Sequence, residues 1–236
     1  MMGDRSACSL FLASLLLLQL SSLFIVSPAK CGLEPFKLHM QPEKIFASVG
    51  SVFTVNVSVS DIGGDGVWGY QFKVCYDNTL LEGVNITLPE GHFLTPEIPG
   101  NILSWFEVNQ TNGYMFLHVT LWKGIEPTKF GNGTLATFTF NAKSLGNCTL
   151  EFRDPLFVDD LMHELECTAS NASVLVMSPD LNSDGKVNIL DIATVAKAIG
   201  SYPGHLMWNP IADVNNDNTV NILDVALVAK NLGKTF

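Results

Sequence analysis

Residues 180–200 read DLNSDGKVNILDIATVAKAIG, and residues 213–233 read DVNNDNTVNILDVALVAKNLG. Set 33 residues apart, the two segments agree at 13 of 21 positions, which marks an internal duplication. Each opens with a twelve-residue loop whose oxygen-bearing side chains fall at positions 1, 3, 5, 9 and 12. In the first loop these are Asp180, Asn182, Asp184, Asn188 and Asp191; in the second they are Asp213, Asn215, Asp217, Asn221 and Asp224. A hard cation takes six to eight oxygens, and the odd positions of a tight loop converge on one point, so the spacing is that of a calcium loop. Position 7 contributes a backbone carbonyl, which admits Lys186 and Thr219 there. Gly185 supplies the sharp bend at position 6, and Asn218, the next most tolerant of a left-handed conformation, replaces it in the second loop. Val187 and Val220 at position 8 are expected to pair the two loops side by side. The blander reading is a pair of Asx-rich turns capping two helices. One count favours metal: residues 178–236 contain six acidic residues, all at position 1, 5 or 12 of a loop. Two Ca²⁺ ions would offset that charge, so the module is expected to fold only with calcium.

After each loop the pattern is helical. Ile189, Ile192, Ala196 and Ile199 form a predicted inward stripe, matched by Ile222, Val225, Ala229 and Leu232, with Gly200 and Gly233 as stops. Leu190, Lys197, Leu223, Leu227 and Lys230 then remain outward, and exposed leucines repeated at equivalent positions suggest a docking surface.

Upstream of the Met177-Ser178-Pro179 junction the period changes to two. Residues 51–60 (SVFTVNVSVS) alternate as a half-buried strand, and residues 69–77 (GYQFKVCYD) place Tyr70, Phe72, Val74 and Tyr76 on one face. Further strands are predicted over 80–87, 102–109, 114–121, 133–142, 148–152 and 173–177, with Gly63-Gly64, Asn112-Gly113 and Gly131-Asn132-Gly133 among the turns. Many short strands with such punctuation predict a β-sandwich.

The chain has 236 residues and a net charge of −10, which argues against nucleic acid or anionic lipid as a partner. Residues 10–26 (LFLASLLLLQLSSLFIV), behind Arg5 and ahead of Ser27-Pro28-Ala29, have a secretory layout with cleavage expected after Ala29. A membrane enters the reading only if that segment stays uncleaved. Cys31, Cys75, Cys148 and Cys167 lie beyond it; exported cysteines favour disulfides, and four allow three connectivities. Cys148–Cys167, flanking a connection between late strands, is the first expectation, with Cys31–Cys75 left over and free buried thiols as the alternative. Sequons begin at Asn56, Asn85, Asn109, Asn132, Asn147 and Asn171 and none after 173, which fits a glycosylated extracellular surface.

Asp at position 12 and a helix only on the C-terminal side of each loop resemble the dockerin module, over residues 178–236. GYQFKVCYDNTLL (69–81) and GTLATFTFNAKSLG (133–146) resemble its counterpart, the cohesin domain, and related carbohydrate-binding sandwiches. The chain is therefore expected to be multidomain: a signal peptide (1–29), a cohesin-like jelly-roll β-sandwich (30–177) and a small all-α dockerin with two EF-hand-like loop–helix repeats (178–236). The resemblance implies calcium-dependent docking to a cohesin-like domain of another protein, secreted or at the cell surface, often in polysaccharide-degrading systems, and no catalysis. In the dockerin family loop positions 10 and 11 and a later Lys-bearing turn are recognition positions; here they are Ile189-Leu190 and Ile222-Leu223, with Lys197 and Lys230. Both repeats carry the same residues, so binding in two orientations is expected.

Two other functions find less support. The histidines (39, 92, 118, 163 and 205) lack metal-ligand spacing, and the carboxylates of Asp159, Asp160, Glu164 and Glu166, a pair of which could serve glycoside hydrolysis, are read as a solvated loop. Sugar binding would use Trp68, Tyr70, Trp105 and Trp122; exposure of Trp105 or Trp122 in a row on one sheet would support it. The short junction predicts a monomer with its two modules packed side by side.

Overall fold

The computed structural model describes residues 35–122 and 127–235. The expected signal segment and Cys31 lie outside the described residues. Among those described, no helix is long and apolar enough to cross a membrane.

Among the described residues, twelve strands make two sheets. They are β1 (Phe36–Gln41), β2 (Lys44–Ser48), β3 (Val52–Val67), β4 (Gly69–Cys75), β5 (Leu81–Thr87), β6 (Ile102–Asn109), β7 (Tyr114–Leu121), β8 (Lys129–Ala142), β9 (Gly146–Val158), β10 (Glu164–Leu165), β11 (Cys167–Ser170) and β12 (Ala172–Met177). One sheet runs β11-β1-β3-β8-β5; the other runs β2-β12-β9-β4-β7-β6, with β10 beside β9. Alternation decides which face of each strand goes in. On β4, Tyr70, Phe72, Val74 and Tyr76 (the last just beyond the strand) are buried, while Gln71, Lys73 and Cys75 are only half-buried. On β3, Val55, Val57 and Val59 point inward.

Aromatic rings bridge the layers. Phe72 of β4 meets Phe138 of β8 at 6.0 Å, and Phe36 of β1 meets Phe157 of β9 edge-on at 4.9 Å. Phe72, Phe138, Phe140 and Phe157 are fully buried, so truncating any one to Ala should cost about 3–5 kcal/mol. The β6–β7 hairpin turns at Gly113, whose φ is +65° and where a Cβ would lie 2.4 Å from the Tyr76 carbonyl oxygen. Only glycine fits both constraints.

The structure adds strands to those read from sequence. β1, β2, β10 and β11 were not expected, and β8 and β9 extend further than predicted. β1 and β2 are short, and each gains its place from a parallel partner late in the chain, β11 and β12 respectively. Cys75, Cys148 and Cys167 are free thiols, so the expected Cys148–Cys167 bridge is not formed. Cys167 opens β11 beside Phe36 in the five-stranded sheet, whereas Cys148 sits inside β9 of the other sheet, opposite Val174. Flanking a connection in sequence did not bring them together, because that connection crosses between layers.

Of the aromatic residues considered for sugar binding, Trp68 and Tyr70 are core, and the Tyr70 hydroxyl donates to the Leu135 carbonyl at 3.2 Å. Burial raises the Tyr70 hydroxyl far above its ordinary pKa. Asp159 is buried, its carboxylate accepting from the Leu161 and His163 N–H groups at 2.9 and 2.8 Å. It closes a turn, while Asp160, Glu164 and Glu166 stay exposed.

Candidate calcium loops and docking face

Two helices follow the loops: α1 (Ile189–Ala198) and α2 (Ile222–Ala229). Each begins at an Asn in extended conformation whose side chain caps the first turn. Asn188 Oδ1 accepts from the Leu190 N–H at 2.8 Å, and Asn221 Oδ1 accepts from the Leu223 N–H at 2.8 Å. The position-12 aspartate reciprocates. Asp191 Oδ2 accepts from the Asn188 N–H and Asp224 Oδ2 from the Asn221 N–H, both at 2.8 Å, completing a capping box in each repeat.

The same carboxylates reach back to the loop entrance. Asp191 Oδ1 accepts from the Leu181 and Asn182 N–H groups at 2.8 and 3.2 Å. Asp224 Oδ1 accepts from Val214 and Asn215 at 2.9 and 3.2 Å. Both aspartates are fully buried. Position 1 holds the bend: Asp180 Oδ2 accepts from Gly185 N–H at 2.8 Å, and Asp213 Oδ2 from Asn218 N–H at 2.9 Å. Gly185 and Asn218 both take positive φ, +82° and +65°, so Asn218 fills the glycine's role as its residue type suggested. The amide groups of Asn182 and Asn215 donate to Asp184 and Asp217 at 3.0 and 2.9 Å. The two loops thus share one carboxylate scaffold and differ at position 9, where the Asn188 amide donates to Asp184 Oδ2 at 3.3 Å and the Asn221 amide to the Thr219 carbonyl at 3.1 Å.

Electrostatics separate this site from an ordinary helix cap. Each loop gathers three carboxylates, and among the described residues none of the ion pairs involves them. Burial raises the pKa of Asp213, while the Asn182 amide holds Asp184 below the usual carboxylate range. Among the described residues no three His, Cys, Asp or Glu side chains form a metal-holding group by themselves. A cation here would need the amide oxygens of Asn182 and Asn188, or Asn215 and Asn221, and the position-7 carbonyls as well. That donor set is all oxygen, which fits a hard divalent ion. Calcium bound there would neutralise buried charge and lock the loop; the chain's own part is the N–H scaffold that aims the carboxylates.

The helix faces differ from expectation. Ile189, Ile199, Ile222 and Leu232 are half or more exposed, and the buried positions are Asp191, Val195 and Ala198, with Asp224, Val228 and Asn231 in the second repeat. Ile192 and Val225 of the expected stripe are half-buried and pack on the module's core, but the fully buried line is displaced from that stripe by one residue, about 100° around the helix. The cause is the position-12 carboxylate: it must turn inward to hold the loop, and its i+4 and i+7 neighbours follow it. Leu190 and Leu223 are each 57% exposed beside Ile189 and Ile222 at 68% and 69%, so the apolar pairs do form equivalent outward patches. Lys197 and Lys230 are exposed too, but Leu227 is half-buried and packs on the module's core. Val187 and Val220 are buried without pairing to each other. Val187 bonds with Gly233 and Lys234 at 2.9 Å each, and Val220 with Gly200 and Ser201 at 2.8 and 3.0 Å, so each loop is sewn to the tail of the other repeat's helix.

The cohesin domain family model matches residues 39–176, and the dockerin type I domain model matches residues 178–233. The chain belongs to the cohesin family and ends in a type I dockerin domain. Both are non-catalytic modules, and type I dockerin domains bind calcium. No curated protein matches this cohesin–dockerin chain. Among solved structures, a type I cohesin–dockerin complex from Clostridium thermocellum is 12% identical, covering 64% of this chain and 98% of its own, with a TM-score of 0.53. The sixth cohesin of Acetivibrio cellulolyticus scaffoldin B is 19% identical, covering 61% and 99%, with a TM-score of 0.49. A non-cellulosomal cohesin from the archaeon Archaeoglobus fulgidus is 15% identical, covering 62% and 94%, with a TM-score of 0.47. The first of these supports the sandwich fold. The module pair is that of a cellulosome-type scaffold or adhesion component.

Proposed function

We propose that this is an exported, non-catalytic scaffold or adhesion protein that docks, through its calcium-dependent dockerin, to a cohesin-like domain of another protein. Residues 1–29 would be the signal, 30–177 the sandwich and 178–236 the dockerin. Two Ca²⁺ ions would be held by Asp180, Asn182, Asp184, Lys186, Asn188 and Asp191, and by Asp213, Asn215, Asp217, Thr219, Asn221 and Asp224. The observation that carries the reading is the twice-built loop: matching carboxylate scaffolds that make no ion pair among the described residues, each beside an exposed apolar pair. Ile189, Leu190 and Lys197 form one recognition set, and Ile222, Leu223 and Lys230 the other. Sequon residues Asn56, Asn85, Asn132, Asn147 and Asn171 are exposed, and Asn109 is half-buried, which supports glycosylation of a secreted or cell-surface protein.

The test is capture of the intact chain on a panel of cohesin domains, in calcium and in chelator. With two equivalent faces, Leu190→Asp alone should lower affinity about twofold, the statistical factor for losing one of two equal modes. Leu190→Asp with Leu223→Asp should abolish capture. Complete loss in either single variant refutes the two-faced reading, and capture that persists in chelator refutes calcium dependence.

A second reading has one observation in its favour. Trp105 and Trp122 are 51% and 53% exposed. Trp105 stands opposite His118 on the outward side of β6, and Trp122 follows β7 with its N–H on the Asn101 carbonyl. Two exposed indoles near one sheet edge suit pyranose stacking, so polysaccharide is the alternative ligand, with the dockerin recruiting a carbohydrate-binding module to a complex. Retention on insoluble polysaccharide that Trp105→Ala abolishes would favour it.

A further inference from the structure

The duplication offers an internal comparison for each buried residue. Buried positions that match between repeats serve what both repeats do; one that differs serves something only one does. Thirty-three residues on from Ala198 stands Asn231, and both are buried. Ala198 packs into the module's core. Asn231 instead uses both ends of its amide: Nδ2 donates to the Leu227 carbonyl at 2.8 Å, and Oδ1 accepts from the Ser48 hydroxyl at 2.9 Å in a buried bond.

Ser48 ends β2 of the sandwich and is itself buried. Its register partner is Met177, the last residue of β12, whose side chain belongs to the dockerin core. One sandwich residue therefore stands beside the strand end that leads into the dockerin and bonds to a residue just past its last helix. The next amide, Val49 N–H, donates to the Met177 carbonyl at 3.3 Å, and Val49 and Gly50 face Gly233, Lys234 and Thr235 across a shallow cleft. Gly233 and Lys234 are the residues that bond with Val187 of the first loop. Both loops thus connect to the same rim, the second through α2 and Asn231, the first through Val187 and the C-terminal tail.

We propose that this junction couples calcium loading of the dockerin loops to the β2–β12 rim of the sandwich, through the Ser48–Asn231 hydrogen bond. The inference rests on the calcium reading above. Loop closure by calcium fixes α2 and so places Asn231; with Asn231 seated, the rim is held at Ser48 and Met177. Coupling of this kind is reciprocal, so the rim must strengthen calcium binding by the factor that calcium strengthens the rim. The two modules then act as one calcium-set unit with a fixed relative orientation.

Amide hydrogen exchange on the intact chain, titrated with calcium, tests this. The reporters are the Val49 amide at the rim, the Val214, Asn215 and Asn218 amides in the second loop, and Tyr76, bonded to the Gly113 carbonyl, as a reference in the sandwich. In the wild type, calcium should raise protection at Val49 and at the loop amides but not at Tyr76. In Asn231→Ala the loop amides should still respond, at a calcium concentration higher by about five- to thirtyfold, the factor a lost buried hydrogen bond carries. The Val49 response should disappear. Ser48→Ala, which leaves the dockerin untouched, should reproduce both effects and carries the test if Asn231→Ala unfolds α2. An equal Val49 response in wild type and Ser48→Ala overturns the coupling, as does a wild-type Val49 that ignores calcium while the loop amides respond. Loop amides indifferent to calcium in the wild type overturn this proposal and the calcium reading beneath it together.

Discussion

Replacing Asp224 by Ala removes the acceptor that holds the second loop and caps α2 at once. Three backbone N–H groups lose their partner: Val214 at 2.9 Å, Asn215 at 3.2 Å and Asn221 at 2.8 Å. Val214 is buried, and Asn215 and Asn221 are half-buried, so water can rehydrate the latter two only in part. At about 1–3 kcal/mol for each orphaned buried donor, with the half-buried pair at the low end, the loss is about 3–5 kcal/mol. The dockerin has about sixty residues, and at roughly 0.05–0.15 kcal/mol each its stability amounts to about 3–9 kcal/mol. The substitution therefore removes from about a third to all of what holds the module folded. Amide exchange of the calcium-loaded intact chain is the assay. Protection across α2 should fall by about two to three orders of magnitude, since each 1.4 kcal/mol is tenfold. Tyr76 and the other inner-strand amides should be unchanged. Asp191→Ala should act likewise on α1, where the same carboxylate holds Leu181, Asn182 and Asn188. A fall of less than tenfold on α2 would refute the argument that one buried carboxylate organises each repeat.

Two further outcomes follow from groups outside the loops. Ser201 is fully buried and its hydroxyl has no hydrogen-bond partner, so Ser201→Ala should leave the module as stable or about 1 kcal/mol more stable in chemical denaturation; destabilisation would show that the hydroxyl is bonded in solution. Burial, with Glu164 adding to it, pushes the Cys167 thiol up to about 11. An ordinary thiol of pKa about 8.5 is half ionised at pH 8.5, against about 0.3% at pKa 11, so alkylation of Cys167 should run about a hundredfold slower there and rise tenfold per pH unit. Labelling at the free-cysteine rate, read by mass spectrometry, would contradict the half-buried placement.

What the sequence determined by itself was everything set by short spacing. Oxygen-bearing residues at alternate positions of a twelve-residue loop, Asn at each helix start and Gly185 or Asn218 at the bend fix local geometry through contacts only a few residues apart. Two-residue alternation likewise placed Tyr70, Phe72 and Val74 inside before any partner strand was known. Helical phase was legible only in part. An apolar count put Ile189 and Ile199 inward, but the Asp191 carboxylate, polar by composition, claims the inner face because three N–H groups await it there. Tertiary structure alone decided the rest: that β1 and β2 take parallel partners from the chain's far end, that Cys148 and Cys167 fall in different sheets, and that Trp68 is core while Trp105 is exposed. It alone joined Ser48 to Asn231 across 183 residues. Nothing in the neighbourhood of either residue specifies that bond; it exists because β2 pairs with the strand that leads into the dockerin, and closing the repeat brings its last helix back to that same rim.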